Sequence, residues 1–172
     1  MYNAKGRYAL MAVFAISALV SLFFVQYQLA AIAGFLFAFV LYTHYKHSSV
    51  LLASKYFKDA DYDRAEKILT EIGNPDRLAR NRRGYYEFMR ANIALQRDDF
   101  ETAEFHFQIA SRFPLGGKND KAFVLIHLAN LALRKKDGER AKAYVEKAKE
   151  LATSSRAKEI IKIIEKEANG FA

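Results

Sequence analysis

From residue 8 to residue 45 the chain carries no charged side chain, and 31 of those 38 residues are apolar. As one helix the run would be about 57 Å long at 1.5 Å per residue, nearly twice the ~30 Å hydrocarbon core of a bilayer. Its only polar cluster, Gln26-Tyr27-Gln28, divides it, so the pattern predicts two antiparallel apolar helices over about 8–25 and 29–45. Each is near the lower length limit for crossing a membrane, and a re-entrant hairpin that dips in and returns is the alternative. Ala30, Gly34 and Ala38, and Ser17 and Ser21, recur at four-residue spacing. Small side chains so spaced let helix backbones approach, and they are expected to be where the two spans pack together, with a site for a foreign transmembrane helix as the alternative. Between Leu29 and Lys58 there is no Pro and only Gly34 interrupts helix-compatible residues, so the second span is expected to run on into the following segment as one helix.

Beyond residue 45 the pattern becomes amphipathic and repeats at an offset of 38 residues. That offset superimposes Ala53, Ala91 and Ala129; Asp61, Asp99 and Asp137; and Ala65, Ala103 and Ala141. Chemistry is kept in Asp63, Glu101 and Glu139, in Leu69, Phe107 and Val145, and in Phe57, Leu95 and Leu133. Each shared Asp precedes a periodic apolar segment, where its carboxylate can accept the free N–H groups of a first helical turn, so each is read as an N-cap. The shared alanines are read as close helix contacts. The prediction is three helix-turn-helix units, with helices near 46–58 and 61–73, 77–97 and 99–112, and 120–135 and 137–152. A further helix begins after a Ser154-Ser155 cap, ends at Asn169-Gly170, and presents Ile160, Ile161, Ile163 and Ile164 to close the open end of the third unit. The fold class is all-α: a membrane anchor over 1–45 and a helical-repeat domain over 46–172.

Charge sharpens this picture. The 172 residues hold 27 Lys and Arg against 19 Asp and Glu, yet every acidic residue lies beyond residue 58. That segregation excludes an ordinary soluble globule. Lys5 and Arg7 precede the first span, Lys46, Lys55 and Lys58 follow the second, and the turn between has no cation, so both termini and the repeat domain are expected in the cytoplasm. Ala31-Ile32-Ala33 resembles a signal-peptide cleavage site, but the apolar run continues past it, so an uncleaved anchor is expected. There is no Cys, hence no thiol nucleophile or thiolate metal site.

The segments Asp61-Tyr62-Asp63-Arg64-Ala65, Asp99-Phe100-Glu101-Thr102-Ala103 and Asp137-Gly138-Glu139-Arg140-Ala141 resemble the turn and second helix of the tetratricopeptide (TPR) repeat. Phe107 with Ala110, and Val145 with Ala148, match its later packing positions. The resemblance spans about 46–155, in units of about 46–83, 84–121 and 122–155, with a capping helix over 155–168. The departures are a period of 38 where the family has 34, Gly138 where an aromatic is usual, and Ile72 in place of a small residue. The resemblance implies a solenoid that binds a protein or peptide in the concave face of its first helices. Carried over column by column, that groove comprises His47, Val50, Ser54, Phe57 and Lys58; Tyr85, Phe88, Asn92, Leu95 and Gln96; and Phe123, Ile126, Asn130, Leu133 and Arg134. The Ser54, Asn92, Asn130 column is similar to the asparagine ladders of other TPR grooves, since an amide both donates to and accepts from an extended backbone. The alternative is that these amides bond within the repeat. The family's carboxylate clamp is not matched, because Val50, Phe88 and Ile126 stand where it places polar groups.

Arg77, Arg80, Arg82, Arg83 and Arg90 form the densest basic patch, a candidate for anionic lipid or an acidic partner and otherwise a solvated face. Nucleic acid is not expected, for no binding motif accompanies the charge. His44 and His47 lack further ligands nearby, and no phosphate loop, nucleophile elbow or paired carboxylates appear, so neither a cofactor, a metal nor an enzymatic activity is expected. The expectation is an adaptor holding a protein at the bilayer, with a subunit of a larger membrane complex, held by its hairpin, as the alternative.

Overall fold

The structure, a computed structural model, describes residues 4–47 and 49–170, with the side chains of residues 4, 5 and 45–47 left out. The described residues form α1 (Ala4–Phe23), α2 (Tyr27–His47), α3 (Val50–Lys58), α4 (Tyr62–Thr70), a 3-10 turn (Pro75–Arg77), α5 (Arg80–Gln96), α6 (Phe100–Ser111), α7 (Lys118–Arg134), α8 (Gly138–Leu151) and α9 (Ser155–Asn169), with no strand among them. Two compact units divide the chain, Met1–Arg82 and Arg83–Ala172, so the boundary expected at residue 46 falls inside the first.

In the first unit α1 and α2 pack as an antiparallel hairpin. Each contains an 18-residue window, Gly6–Phe23 or Tyr27–His44, long and apolar enough to cross a membrane, and only 11% of either window is buried. The seam is heptad-like: Arg7, Met11, Phe14, Ala18 and Ser21 are the more covered positions on α1, and Ala30, Ala33, Phe37, Val40 and His44 on α2. This corrects the expected small-residue contact. Ala30 and Ser21 lie in the seam, but Ser17, Gly34 and Ala38 are exposed, and a Cβ added at Gly34 would meet nothing within 4 Å. Close approach is supplied by Ala18 and Ala33 instead, because the seam follows alternating three- and four-residue steps, from which a strict four-residue stripe drifts away.

The second span does not continue through to Lys58. Helix α2 ends at His47 and α3 starts at Val50, with Ser48 outside the described residues and Ser49 in a turn. Ser49 stands at the N-cap of α3, and its carbonyl starts that helix by accepting from Ala53 N–H at 2.9 Å. Helix α3 then packs against α4.

The 38-residue register recurs in backbone geometry. Ala60, Asp98 and Lys136 all adopt the left-handed conformation, at φ of 57°, 57° and 58°. In each case the following Asp donates its N–H five residues back: Asp61 to Tyr56 (2.9 Å), Asp99 to Ala94 (3.0 Å), Asp137 to Ala132 (2.9 Å). This is a Schellman-type helix stop. Each Asp then caps the next helix as expected, its side chain accepting from the N–H of Arg64, Thr102 or Arg140. The six column alanines 53, 65, 91, 103, 129 and 141 are all at 0% exposure, as close helix packing requires. Val25, at φ 59°, with Gln26 N–H donating to Ser21 at 2.8 Å, repeats the same stop at the hairpin tip.

In the second unit successive helices pack together, α6 on α7, α7 on α8, and α9 on both α7 and α8. Helix α7 is the centre, burying Val124, Leu125, Ile126, Leu128, Leu131 and Leu133 on nearly all sides. Ser154 caps α9 by accepting from Ala157 N–H. Ile161 and Ile164 join the core and Ile160 flanks it, whereas Ile163 is 61% exposed, so three of the four isoleucines serve the closure expected of them.

Candidate binding surface

Two helices of equal length, α5 and α7, carry most of the expected groove. Their N-terminal halves meet where Tyr85 Oη donates to Asp120 Oδ2 at 3.5 Å. The chain before α7 is shaped by two glycines at this point. A side chain at Gly116 would collide with the Tyr85 hydroxyl, and a Cβ at Gly84 would lie 2.7 Å from the Pro114 carbonyl oxygen. Phe88 and Phe123 are half-buried against the core, Phe88 edge-on to Phe107 with ring centroids 6.3 Å apart. Ile126 and Leu133 are buried in the core itself, so they support the surface from below. Leu95 is half-buried, Gln96 is exposed, and exposed Arg134 stacks its guanidinium 3.7 Å from the centroid of Phe100.

The amide column is divided. Asn92 Nδ2 donates to the Phe88 carbonyl at 2.8 Å, and Ser54 Oγ likewise donates to the Leu51 carbonyl at 2.8 Å. Asn130 is exposed and makes no side-chain hydrogen bond among the described residues. In the first unit Phe57 packs edge-on to Tyr62 at 5.5 Å, buried Val50 opens α3, and Lys58 is exposed at its end; the His47 side chain lies outside the described residues.

The arginines do not form a uniform solvated face. Arg77 lies in the 3-10 turn, and Arg80 and Arg82 lie in the first turn of α5. Arg83 is drawn inward, where Nη2 donates to Glu87 Oε1 at 2.8 Å and the guanidinium lies 5.8 Å from the Tyr86 ring centroid and 6.0 Å from that of Phe113. Arg90 is half-buried and also engaged within the chain.

Sequence reasoning passed over three polar groups set into the second unit. Glu87 is 1% exposed and takes His106 Nδ1 at 2.5 Å as well as Arg83. Glu104, on α6, accepts from Lys135 Nζ at 2.5 Å and from Arg140. Burial pushes the Glu104 carboxyl up, but hydrogen bonds from those two cations outweigh it and hold its pKa below the ordinary range. His127 stacks face to face on Phe107, 4.8 Å between centroids and 8° between planes, and burial lowers its pKa. A signal did exist for the histidines: in the 38-residue register His106 aligns with Ile68 and Tyr144, and His127 with Leu51 and Met89, whereas Glu87, aligned with Ser49 and Leu125, and Glu104, aligned with Glu66 and Lys142, interrupt no apolar column. A cleft of about 290 Å³ between α8 and α9, lined by Lys149, Lys158, Ile161, Lys162 and Glu165, is separate from the groove residues. Among the described residues no group of three or more His, Asp or Glu side chains is placed to hold a metal ion.

The chain matches no protein-family model, and neither a curated protein nor a solved structure is significantly similar to it.

Proposed function

We propose that the chain is a membrane-anchored adaptor: α1 and α2 cross the bilayer as a hairpin with both termini in the cytoplasm, and TPR-like repeats hold a protein or peptide partner beside the membrane. The observation that carries the anchor is the bare hairpin, two 18-residue apolar windows each only 11% buried. Such a surface is stable against lipid and costly against water. Lys5 and Arg7 in the first turns of α1, Lys46 in the last turn of α2 and Lys55 and Lys58 beyond it, with no cation at the hairpin tip, favour the cytoplasmic orientation. The repeated helix stops and buried alanine columns support the TPR-like reading, because each helix pair closes in the same way and buries alanine at the same register positions.

Binding is assigned to the α5–α7 face. Asn130 offers a free amide, Asn92 retains its Oδ1 and one N–H, and Tyr85, Phe88 and Phe123 supply half-buried aromatic surface beside them. Asn130→Ala should leave melting unchanged and weaken the partner about fivefold, the equivalent of roughly 1 kcal/mol. Phe88→Ala should weaken it further, while Arg83→Glu, on a side chain already tied to Glu87, should act through folding. Purification of the full chain in mild detergent, with quantification of what stays bound, tests this. If folded Asn130 and Phe88 variants retain their partners, the groove assignment fails.

The reading as a subunit of a larger membrane complex is favoured by one feature, the small residues Gly34 and Ala38 on the exposed face of α2. It requires that the hairpin alone, without the repeats, retain the partners.

A further inference from the structure

Arg7 and Ser49 are two polar side chains that the first unit buries, at 6% and 2% exposure, and they are bonded to each other across 42 residues of sequence. Arg7 Nη2 donates to Ser49 Oγ at 3.1 Å. Ser49 stands at the N-cap of α3, where a serine hydroxyl normally accepts from the first turn, yet here it makes no capping bond. Its carbonyl still starts the helix, accepting from Ala53 N–H at 2.9 Å. The hydroxyl is thus withdrawn from local capping and given to a side chain from the first turns of α1. Glu71, the C-cap of α4, is close enough to interact electrostatically with the same guanidinium. One residue along, Tyr8 Oη and His44 Nε2 lie 3.3 Å apart with ring centroids at 4.9 Å, joining α1 to α2 just before the break.

A break between two helices is where a chain hinges, and this one lies where the hairpin meets the first helix pair. An arginine needed only to set orientation acts from solvent or headgroups and requires no buried protein partner. Taking a guanidinium out of water is costly, so the hydrogen bond that Arg7 Nη2 keeps to Ser49 ties α1 to the start of α3 across the junction. We propose that Arg7 and Ser49 form a latch that makes the α2–α3 junction rigid, so that the hairpin holds α3 and α4 in one orientation. Without it the break would act as a free swivel. The inference rests on the hairpin being the anchor, and its test separates the two.

The chain has no cysteine, so Tyr27→Cys at the hairpin tip and Lys67→Cys on the exposed face of α4 provide two unique labelling sites. Spin labels there, with the full chain in vesicles of phosphatidylcholine and phosphatidylglycerol, report the distance by double electron–electron resonance. A single narrow distribution is expected. Ser49→Ala, which changes no charge, should destroy it, as should Arg7→Gln, whereas Ser49→Thr, which keeps the hydroxyl, should preserve it. A broad distribution in the parent chain, or a narrow one surviving both Ser49→Ala and Arg7→Gln, overturns the latch. Extraction of the parent chain from vesicles by alkaline carbonate would instead refute the anchor, and the same distances in detergent micelles would still decide the latch.

Discussion

Three residues that are not glycine occupy the left-handed turn positions 60, 98 and 136. For an L-residue that conformation costs roughly 1–2 kcal/mol through contact between Cβ and the carbonyl oxygen. Glycine removes the contact but gives up about 0.5–1 kcal/mol more backbone entropy on folding. Lys136 is the cleanest place to measure the difference, since its side chain is exposed and its φ is 58°. Lys136→Gly should therefore stabilise the α7–α8 pair by about 0.5–1 kcal/mol, or roughly 3–6 °C in melting temperature for a unit of this size. The control is Ala143→Gly, at an exposed position within helix α8, which should destabilise by roughly 1 kcal/mol. Far-UV circular dichroism of both variants in the same detergent gives the comparison. If Lys136→Gly lowers the melting temperature as Ala143→Gly does, the turn is not left-handed in solution, and the repeated Schellman stop is wrong for that unit.

Gly84→Ala should destabilise although alanine is the better helix former, because its Cβ would lie 2.7 Å from the Pro114 carbonyl; Gly34→Ala, in open space within α2, should stabilise by up to about 1 kcal/mol, and thermal melts of the pair check both. His127 has a folded pKa lowered by burial, so it favours the folded state fully above its ordinary value of 6.5, and that contribution is lost as pH falls below it. Melting temperature should drop between pH 7 and pH 5, and drop less in His127→Phe, which keeps the ring stack. Glu104, with its folded pKa held down by Lys135 and Arg140, contributes stability above 4.5 that is lost as pH falls further, so Glu104→Gln should melt lower at pH 7 and converge with the parent in acid.

What the sequence made legible was whatever the chain repeats. The N-cap aspartates and alanine columns needed only the 38-residue register, since capping is local and close packing demands small side chains at fixed positions. The left-handed stops were invisible because glycine, their usual marker, is absent from all three. The α2–α3 break carries no Pro or Gly to mark it, and Arg7, which donates to Ser49 at the start of α3, is 42 residues away. The hairpin seam was misplaced for a different reason: small residues at four-residue spacing were given more weight than the heptad of larger ones, yet it is the heptad that stays on one face.

The amide column marks where register stops being sufficient. Asn92 and Asn130 occupy equivalent positions 38 residues apart, and a pattern argument treats them alike. Asn92 is half-buried beside Phe88 and spends one donor on that residue's carbonyl, whereas Asn130 is exposed on α7 and spends none. Four bonding sites on each amide leave three at Asn92 and four at Asn130. A partner's backbone would therefore find a pre-oriented acceptor at Asn92 and an adaptable donor–acceptor pair at Asn130. The first is already immobilised and loses little entropy on binding; the second must be ordered by the partner it holds. Of the two alternatives, the amide tied within the repeat describes Asn92, and the amide offered to a partner is what the proposed adaptor asks of Asn130.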